Sequence, residues 1–220
     1  MAQRKIPPNR RSLTGRLVSR LDSQAKSFES SLERDFYTIL DFDSDVASFE
    51  EQPVTIEYAD LEGKRRTYTP DVLVKFRNHK QAKPLVPTLY EIKRREDLFK
   101  HLALFKPRFL AARRYARQRG WRFKIVTEKE IRSPYLANIK FLRQFIGDNE
   151  KIWDFAFQLS EELQRRKFST PKELLDTVAK DSDNRGKAMR SLWRMVAHRM
   201  VGIDLAQPLT MESELWDITG

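Results

Sequence analysis

Thr69-Pro70-Asp71-Val72-Leu73-Val74, followed at residues 90–93 by Tyr90-Glu91-Ile92-Lys93, sets two short apolar runs around three charged side chains. Read as strands, the two segments alternate, so Glu91 and Lys93 share one face while Tyr90 and Ile92 take the other. Asp71 follows Pro70 and opens Val72-Leu73-Val74, which puts a charge at the lip of a strand otherwise suited to burial. Two carboxylates and an ammonium can then meet at one edge of a sheet. Paired carboxylates attract a divalent cation, and a cation with a lysine can activate water against a phosphodiester. This is the chemistry of a metal-dependent nuclease. The competing reading is a solvated ion pair on a sheet face, worth ~0–1 kcal/mol.

Outward from these strands the chain reads as an α/β domain. Phe28, Leu32, Phe36, Ile39 and Leu40 recur at helical spacing, with Ser27 or Ser30 as N-cap, predicting an amphipathic helix of about 13 residues. Glu33 on this helix has two readings: an acid within reach of a neighbouring sheet, or the carboxylate of a capping box Ser30-Ser31-Leu32-Glu33. Residues 52–59 and 66–76 read as a hairpin turning through Asp60-Leu61-Glu62-Gly63. Further strands are expected at 85–93 and 122–127. The helical segment between them, 97–119, is expected to break at Pro107, which would start a second helix, and to stop at Gly120. Helix, strands, helix, strand make a mixed sheet flanked by helices.

Charge points to a polyanionic partner. Lys and Arg total 42 against 31 Asp and Glu, a net charge of +11. The excess is clustered: from Lys93 to Lys124 there are twelve basic residues against Glu96 and Asp97. Lys106, Arg108, Arg113, Arg114, Arg117 and Arg119 give the helix after the acidic pair a basic face, read as contacts to DNA phosphates, while Phe109, Leu110 and Tyr115 can pack inward. Trp121 reads as core. Residues 1–26 read as a mobile basic arm.

With no cysteine, disulfides and thiolate chemistry are excluded, and three scattered histidines lack zinc-ligand spacing. No apolar run approaches the ~20 residues of a membrane span, and the N-terminal residues lack the apolar stretch of a secretory signal, so a soluble, cytoplasmic protein is expected.

Beyond about residue 147 the pattern turns helical. Residues 148–167 carry Ile152, Phe155, Ala156, Leu159 and Leu163, and Thr170-Pro171-Lys172-Glu173 is a capping box opening a short helix. A third helix is expected over 185–199, then Gly202 and a small hairpin across Ala206-Gln207-Pro208. Three helices and a hairpin suggest a small winged helix-turn-helix domain over 148–220, after a nuclease domain over 27–147. Its third helix, with Arg185, Lys187, Arg190 and Arg194 among Leu192, Trp193, Met195 and Val196, reads as a DNA recognition helix or a surface for a protein partner.

Five segments in order carry a family resemblance: Ser31-Leu32-Glu33-Arg34-Asp35-Phe36, Phe49-Glu50-Glu51-Gln52-Pro53, Tyr68-Thr69-Pro70-Asp71-Val72-Leu73-Val74, Tyr90-Glu91-Ile92-Lys93, and Ile125-Val126-Thr127-Glu128-Lys129-Glu130-Ile131. Together they resemble TnsA, the endonuclease subunit of heteromeric cut-and-paste (Tn-seven-like) transposases of bacteria. The resemblance implies a restriction-endonuclease-like fold with a PD-(D/E)xK site at Glu33, Asp71, Glu91 and Lys93, and a winged-helix C-terminal domain. It also implies double-stranded DNA at transposon ends, a TnsB-like recombinase and a TnsC-like AAA+ ATPase regulator as partners, with cleavage of the non-transferred strand at the 5′ ends.

On that reading Asp71, Glu91 and the Ile92 carbonyl would hold Mg²⁺, for which Mn²⁺ can substitute, Glu33 would ligate or help hold a second ion, and Lys93 would orient the nucleophile. Two alternatives stand beside it: a free-standing restriction or repair nuclease of the same fold, and a non-catalytic DNA-binding adaptor.

Overall fold

The computed structural model describes residues 13–77, 85–146 and 154–219, and divides the chain into two units, Met1–Arg132 and Ser133–Gly220. In the first unit, strands β1 (Gly15–Val18) and β2 (Ala25–Phe28) pair antiparallel ahead of helix α1 (Ser31–Phe42). Asp41 of α1 fastens this hairpin, accepting from Ser19 Oγ at 3.0 Å and from the Arg20 N–H at 2.6 Å. Lys26 and Phe28 alternate into the interior, and the Lys26 ammonium pairs with Asp22 at 2.7 Å. Residues 15–26 are therefore an ordered hairpin rather than part of a basic arm; residues 1–12 lie outside the described residues. Strand-period burial outweighs the basic composition on which the arm was read.

After α1 come β3 (Val46–Glu51), a separate hairpin of β4 (Ile56–Ala59) and β5 (Arg65–Tyr68), then β6 (Val72–Phe76) and β7 (Thr88–Ile92). Helices α2 (Arg95–Lys100) and α3 (Leu102–Gln118) lead to β8 (Arg122–Val126) and the short α4 (Glu128–Ile131). The main sheet has the order β3-β6-β7-β8; β7 and β8 are parallel and the other pairs antiparallel. A parallel pair needs a crossover, which α2 and α3 supply. Alternation along β7 separates two layers. Tyr90 meets Phe36 of α1 at 5.1 Å between ring centroids, whereas Leu89 packs with Leu73 and with Ala116 of α3. The result is a mixed sheet between helices, as in restriction-endonuclease-like folds.

Two local expectations change. The run 66–76 is two strands in two sheets, broken at Thr69-Pro70-Asp71, because β5 pairs with β4 while β6 enters the main sheet between β3 and β7. Gly63 does take the positive φ (+78°) that the β4–β5 turn requires. Pro107 lies inside α3, and the helical break falls six residues earlier at His101, which closes α2 and opens α3. A proline there removes one amide donor, to the Ala103 carbonyl, on an exposed turn where water can replace it. Gly120, at φ +69°, follows the C-cap of α3 as expected.

The second unit contains α5 (Pro134–Leu142) with a 3₁₀ turn at Arg143–Phe145, α6 (Ala156–Arg166), β9 (Phe168–Ser169), α7 (Pro171–Val178), α8 (Ser182–Ala197), β10 (Gly202–Ile203) and β11 (Leu215–Trp216). Its three strands pair antiparallel in the order β10-β11-β9. Thr170 and Glu173 form the reciprocal capping box of α7. Helix α5 belongs here and not with the first unit: Phe141 meets Trp193 of α8 edge-on at 5.4 Å. The buried Asn138 amide donates to the carbonyls of Leu205 and Gln207 and accepts from the Leu209 N–H. The division thus falls at 132/133, fifteen residues before the expected 147/148, because the apolar side of α5 is completed by α8.

Candidate active site

Asp71 sits at the entry to β6 with its backbone fixed on both sides. Its N–H donates to the Tyr90 carbonyl at 3.1 Å and its carbonyl accepts from the Gln52 N–H at 2.9 Å. Gln52 holds a left-handed φ of +47° to make that contact. The Asp71 carboxylate Oδ2 accepts from the Ile92 N–H at 2.5 Å. The other oxygen, Oδ1, accepts no hydrogen bond among the described residues. Glu91 points from β7 toward the α3 layer and is 1 % exposed. Lys93, just past the end of β7, places Nζ 3.0 Å from Glu91 Oε1, 3.9 Å from Asp71 Oδ2 and 3.3 Å from the Ile92 carbonyl oxygen. The alternation read from the sequence therefore brings Asp71, Glu91 and Lys93 to one notch.

The charges in the notch perturb one another. Burial and the neighbouring charge of Glu91 push the Asp71 carboxyl up to about 8, against the opposing pull of Lys93 and the Ile92 N–H. Burial alone would lower the Lys93 ammonium, but the charges of Asp71 and Glu91 outweigh it and the net shift is upward. Lys93 is thus a fixed positive charge and not a base. Tyr68 is held above the usual tyrosine range by burial and by Glu91, so its hydroxyl is a donor.

Glu33 is placed differently. Its Oε2 accepts from the Glu29 N–H at 2.8 Å, its Oε1 lies 2.9 Å from Ser30 Oγ, and Ser30 caps α1 through the Glu33 N–H. These are the contacts of a helix cap. Glu33 still feels the site electrostatically: burial raises its carboxyl, the Glu29 charge adds to this, and Lys93 acts against it. Among the described residues no group of three His, Asp or Glu side chains converges on one ion position. A magnesium ion asks for less. One or two carboxylates plus waters suffice, and hard oxygen donors are what Asp71, Glu91 and the Ile92 carbonyl offer.

The helix read as a phosphate-binding face divides. Lys106, Arg113, Arg114, Arg117 and Arg119 are exposed, with the Arg119 guanidinium 3.5 Å from the Tyr115 ring centroid. Arg108 turns inward instead. Its guanidinium lies over Phe105 at 4.1 Å, and its Nη2 reaches Glu91 Oε1 at 3.5 Å. Helical spacing separates the two, since Arg108 lies one residue from the buried Phe109 and four from Ala112. Tyr68 also reaches the site, its hydroxyl donating to Glu91 Oε2 at 2.5 Å. No local pattern in the sequence marks this role, because the residue comes from another sheet.

Two family models match the chain: TnsA-like endonuclease N terminal over residues 43–128, and TnsA endonuclease C terminal over residues 130–205. Their junction falls beside the structural division at 132/133. The first match spans Asp71, Glu91, Lys93 and Arg108 and begins after Glu33. No curated protein matches the chain. The two matches, in order and meeting at the boundary between units, cover most of the residues from the first strand of the main sheet to the loop after β10. The chain belongs to the TnsA endonuclease family.

Proposed function

We propose that this protein is the Mg²⁺-dependent endonuclease subunit of a cut-and-paste transposase, hydrolysing the non-transferred strand at the 5′ ends of the transposon. The observation that carries the chemistry is the notch where Asp71 and Glu91 face Lys93, with Asp71 raised by burial and by its neighbour. Asp71, Glu91 and the Ile92 carbonyl would hold the ion. Bound there, Mg²⁺ supplies a water of lowered pKa and countercharge for the reacting phosphate. Lys93, kept protonated by the two carboxylates, steadies the nucleophile or a phosphate oxygen. Glu33 would join, through a second ion, only by releasing the Glu29 N–H and Ser30 hydroxyl.

The exposed Arg113, Arg114 and Arg117 would track DNA phosphates beside this chemistry. The order helix, strand, helix, helix, strand, strand over residues 156–216, with β9 against β11, supports a winged-helix reading of the second unit. Its part would be assembly with a TnsB-like recombinase and a TnsC-like AAA+ regulator, or contact with DNA. Among the described residues no helix is long and apolar enough to cross a membrane.

The test is end cleavage by the chain reconstituted with its proposed partners, DNA and Mg²⁺. Asp71→Ala, Glu91→Ala and Lys93→Ala are each expected to abolish cutting while DNA association persists. Wild-type cutting by any of the three would remove that residue from the site. Efficient cutting by the purified chain alone would replace the transposase subunit with a free-standing nuclease, and no metal-dependent cutting in any assembly would leave a DNA-binding adaptor.

A further inference from the structure

The β4–β5 hairpin ends in a side chain that the nuclease reading does not use. Tyr68, the last residue of β5, is 7 % exposed, and its hydroxyl donates to Glu91 Oε2. Its ring stands edge-on to Phe109, with centroids 6.4 Å apart, and the Arg108 guanidinium lies 5.4 Å from its centroid. The Arg108 guanidinium itself lies 4.1 Å from the Phe105 centroid and 5.3 Å from that of Phe109, and it reaches the other oxygen of Glu91. Ile56, which pairs with Tyr68 across the hairpin, belongs to the same buried cluster as Tyr68, Phe109 and Ala112. The phenol is thus held by a packed wall of α3 and by the small β4–β5 sheet, whose Ile56 and Tyr58 pack in the same cluster.

A buried carboxylate free to turn about its last bond presents a cation with a changing set of lone pairs. A donor anchored in a packed wall selects one orientation. We propose that Tyr68 is a positioning residue that fixes the carboxylate of Glu91 through this hydrogen bond and thereby sets the affinity of the Asp71–Glu91 pair for a divalent cation. The inference rests on the metal-dependent reading above. Outer partners of metal ligands commonly change affinity by about 10- to 100-fold. The β4–β5 hairpin then acquires a purpose, as the strut that delivers the phenol.

The test is Mn²⁺ binding to the full-length chain, followed by the paramagnetic resonance signal of the free ion. Tyr68→Phe keeps the ring and removes only the hydroxyl; it is expected to weaken Mn²⁺ binding about tenfold or more. Tyr58→Phe, on the neighbouring strand of the same hairpin, is expected to bind as the wild type does. Wild-type affinity in Tyr68→Phe, with binding lost in Asp71→Asn, overturns the role of Tyr68 and leaves the metal reading standing. A wild-type chain that binds no Mn²⁺ removes both. The wild type also gives a readout that does not depend on the folding of a variant. An arriving Mg²⁺ draws charge from Glu91, weakens its hold on the phenol proton and should shift a tyrosine absorption band to shorter wavelength. A difference spectrum that stays flat to ion saturation overturns the proposal.

Discussion

At Asp71 burial and the charge of Glu91 hold the carboxyl near 8, against the ordinary aspartate value of 3.8. The folded-state value is the higher one, so stability from this group is complete below about pH 4 and is lost as pH rises through about 8. As pH rises to 8 and beyond, the metal-free fold therefore takes on an unfavourable charge at Asp71. Asp71→Asn keeps an acceptor for the Ile92 N–H and removes that charge. It should stabilise the metal-free chain at pH 8 by about 1–3 kcal/mol, a rise of several degrees in Tm, while eliminating cleavage. The gain should shrink toward pH 4, where the wild-type carboxyl is protonated. Thermal melts of both proteins at the two pH values, in chelator, decide the matter: a lower Tm for Asp71→Asn at pH 8 would show that Lys93 and the Ile92 N–H outweigh the repulsion.

Helix α3 serves two surfaces with one period. Phe109, Ala112 and Ala116 face the sheet, Arg108 leans to the site beside them, and Arg113, Arg114 and Arg117 remain exposed. If the exposed arginines neutralise phosphates, replacing all three with alanine should flatten the dependence of log affinity on log salt by about 2–3 units, near 0.9 for each phosphate no longer neutralised. Binding isotherms between 50 and 200 mM salt measure this; an unchanged slope would assign that face to solvent or to a protein partner. Arg108→Ala belongs to a different class. It removes an ion pair with Glu91 and a stack on Phe105, so its effect should fall on cleavage and leave the salt slope nearly unchanged. The basic face was legible from composition, but composition cannot say which arginine turns inward. That depends on the angle at which the helix meets the sheet, and the break at His101 instead of Pro107 sets the start of its period.

Across the whole chain the division at 132/133 carries a prediction about fragments. Helix α5 supplies Phe141 against Trp193, and Asn138 binds the 205–209 segment through three hydrogen bonds. A fragment of residues 133–220 should therefore unfold cooperatively. One of residues 148–220, cut where the sequence pattern changes, should lose that transition, because it leaves the Trp193 face uncovered and three polar groups of the loop without their partner. Denaturant unfolding of the two fragments, followed by tryptophan fluorescence, separates them; equal cooperativity would show that α5 is dispensable. The assembly role proposed for this unit should be sought in the longer fragment, as capture of the AAA+ regulator by residues 133–220 and not by residues 1–132.

The sequence alone determined what depends on neighbours in the chain. Period-two alternation placed Glu91 of β7 and Lys93 just past its end on one side, helical spacing drew α1 and the helical character of 97–119, and Thr170-Pro171-Lys172-Glu173 marked the start of α7 by the hydrogen bonds its own side chains can make. The motif order also carried the family, since catalytic spacing on a strand survives as a pattern in one dimension. What needed the tertiary structure were pairings between segments far apart: the hairpin at 15–28 latched by Asp41, the split of 66–76 between two sheets, the capture of α5 by α8, and the arrival of Tyr68 and Arg108 at Glu91. In each case a polar or basic residue took its meaning from a partner that no local period contains. Burial by a distant element decides whether a lysine such as Lys26 is solvated or enclosed, and whether a carboxylate such as Glu33 caps its own helix or is free to hold an ion.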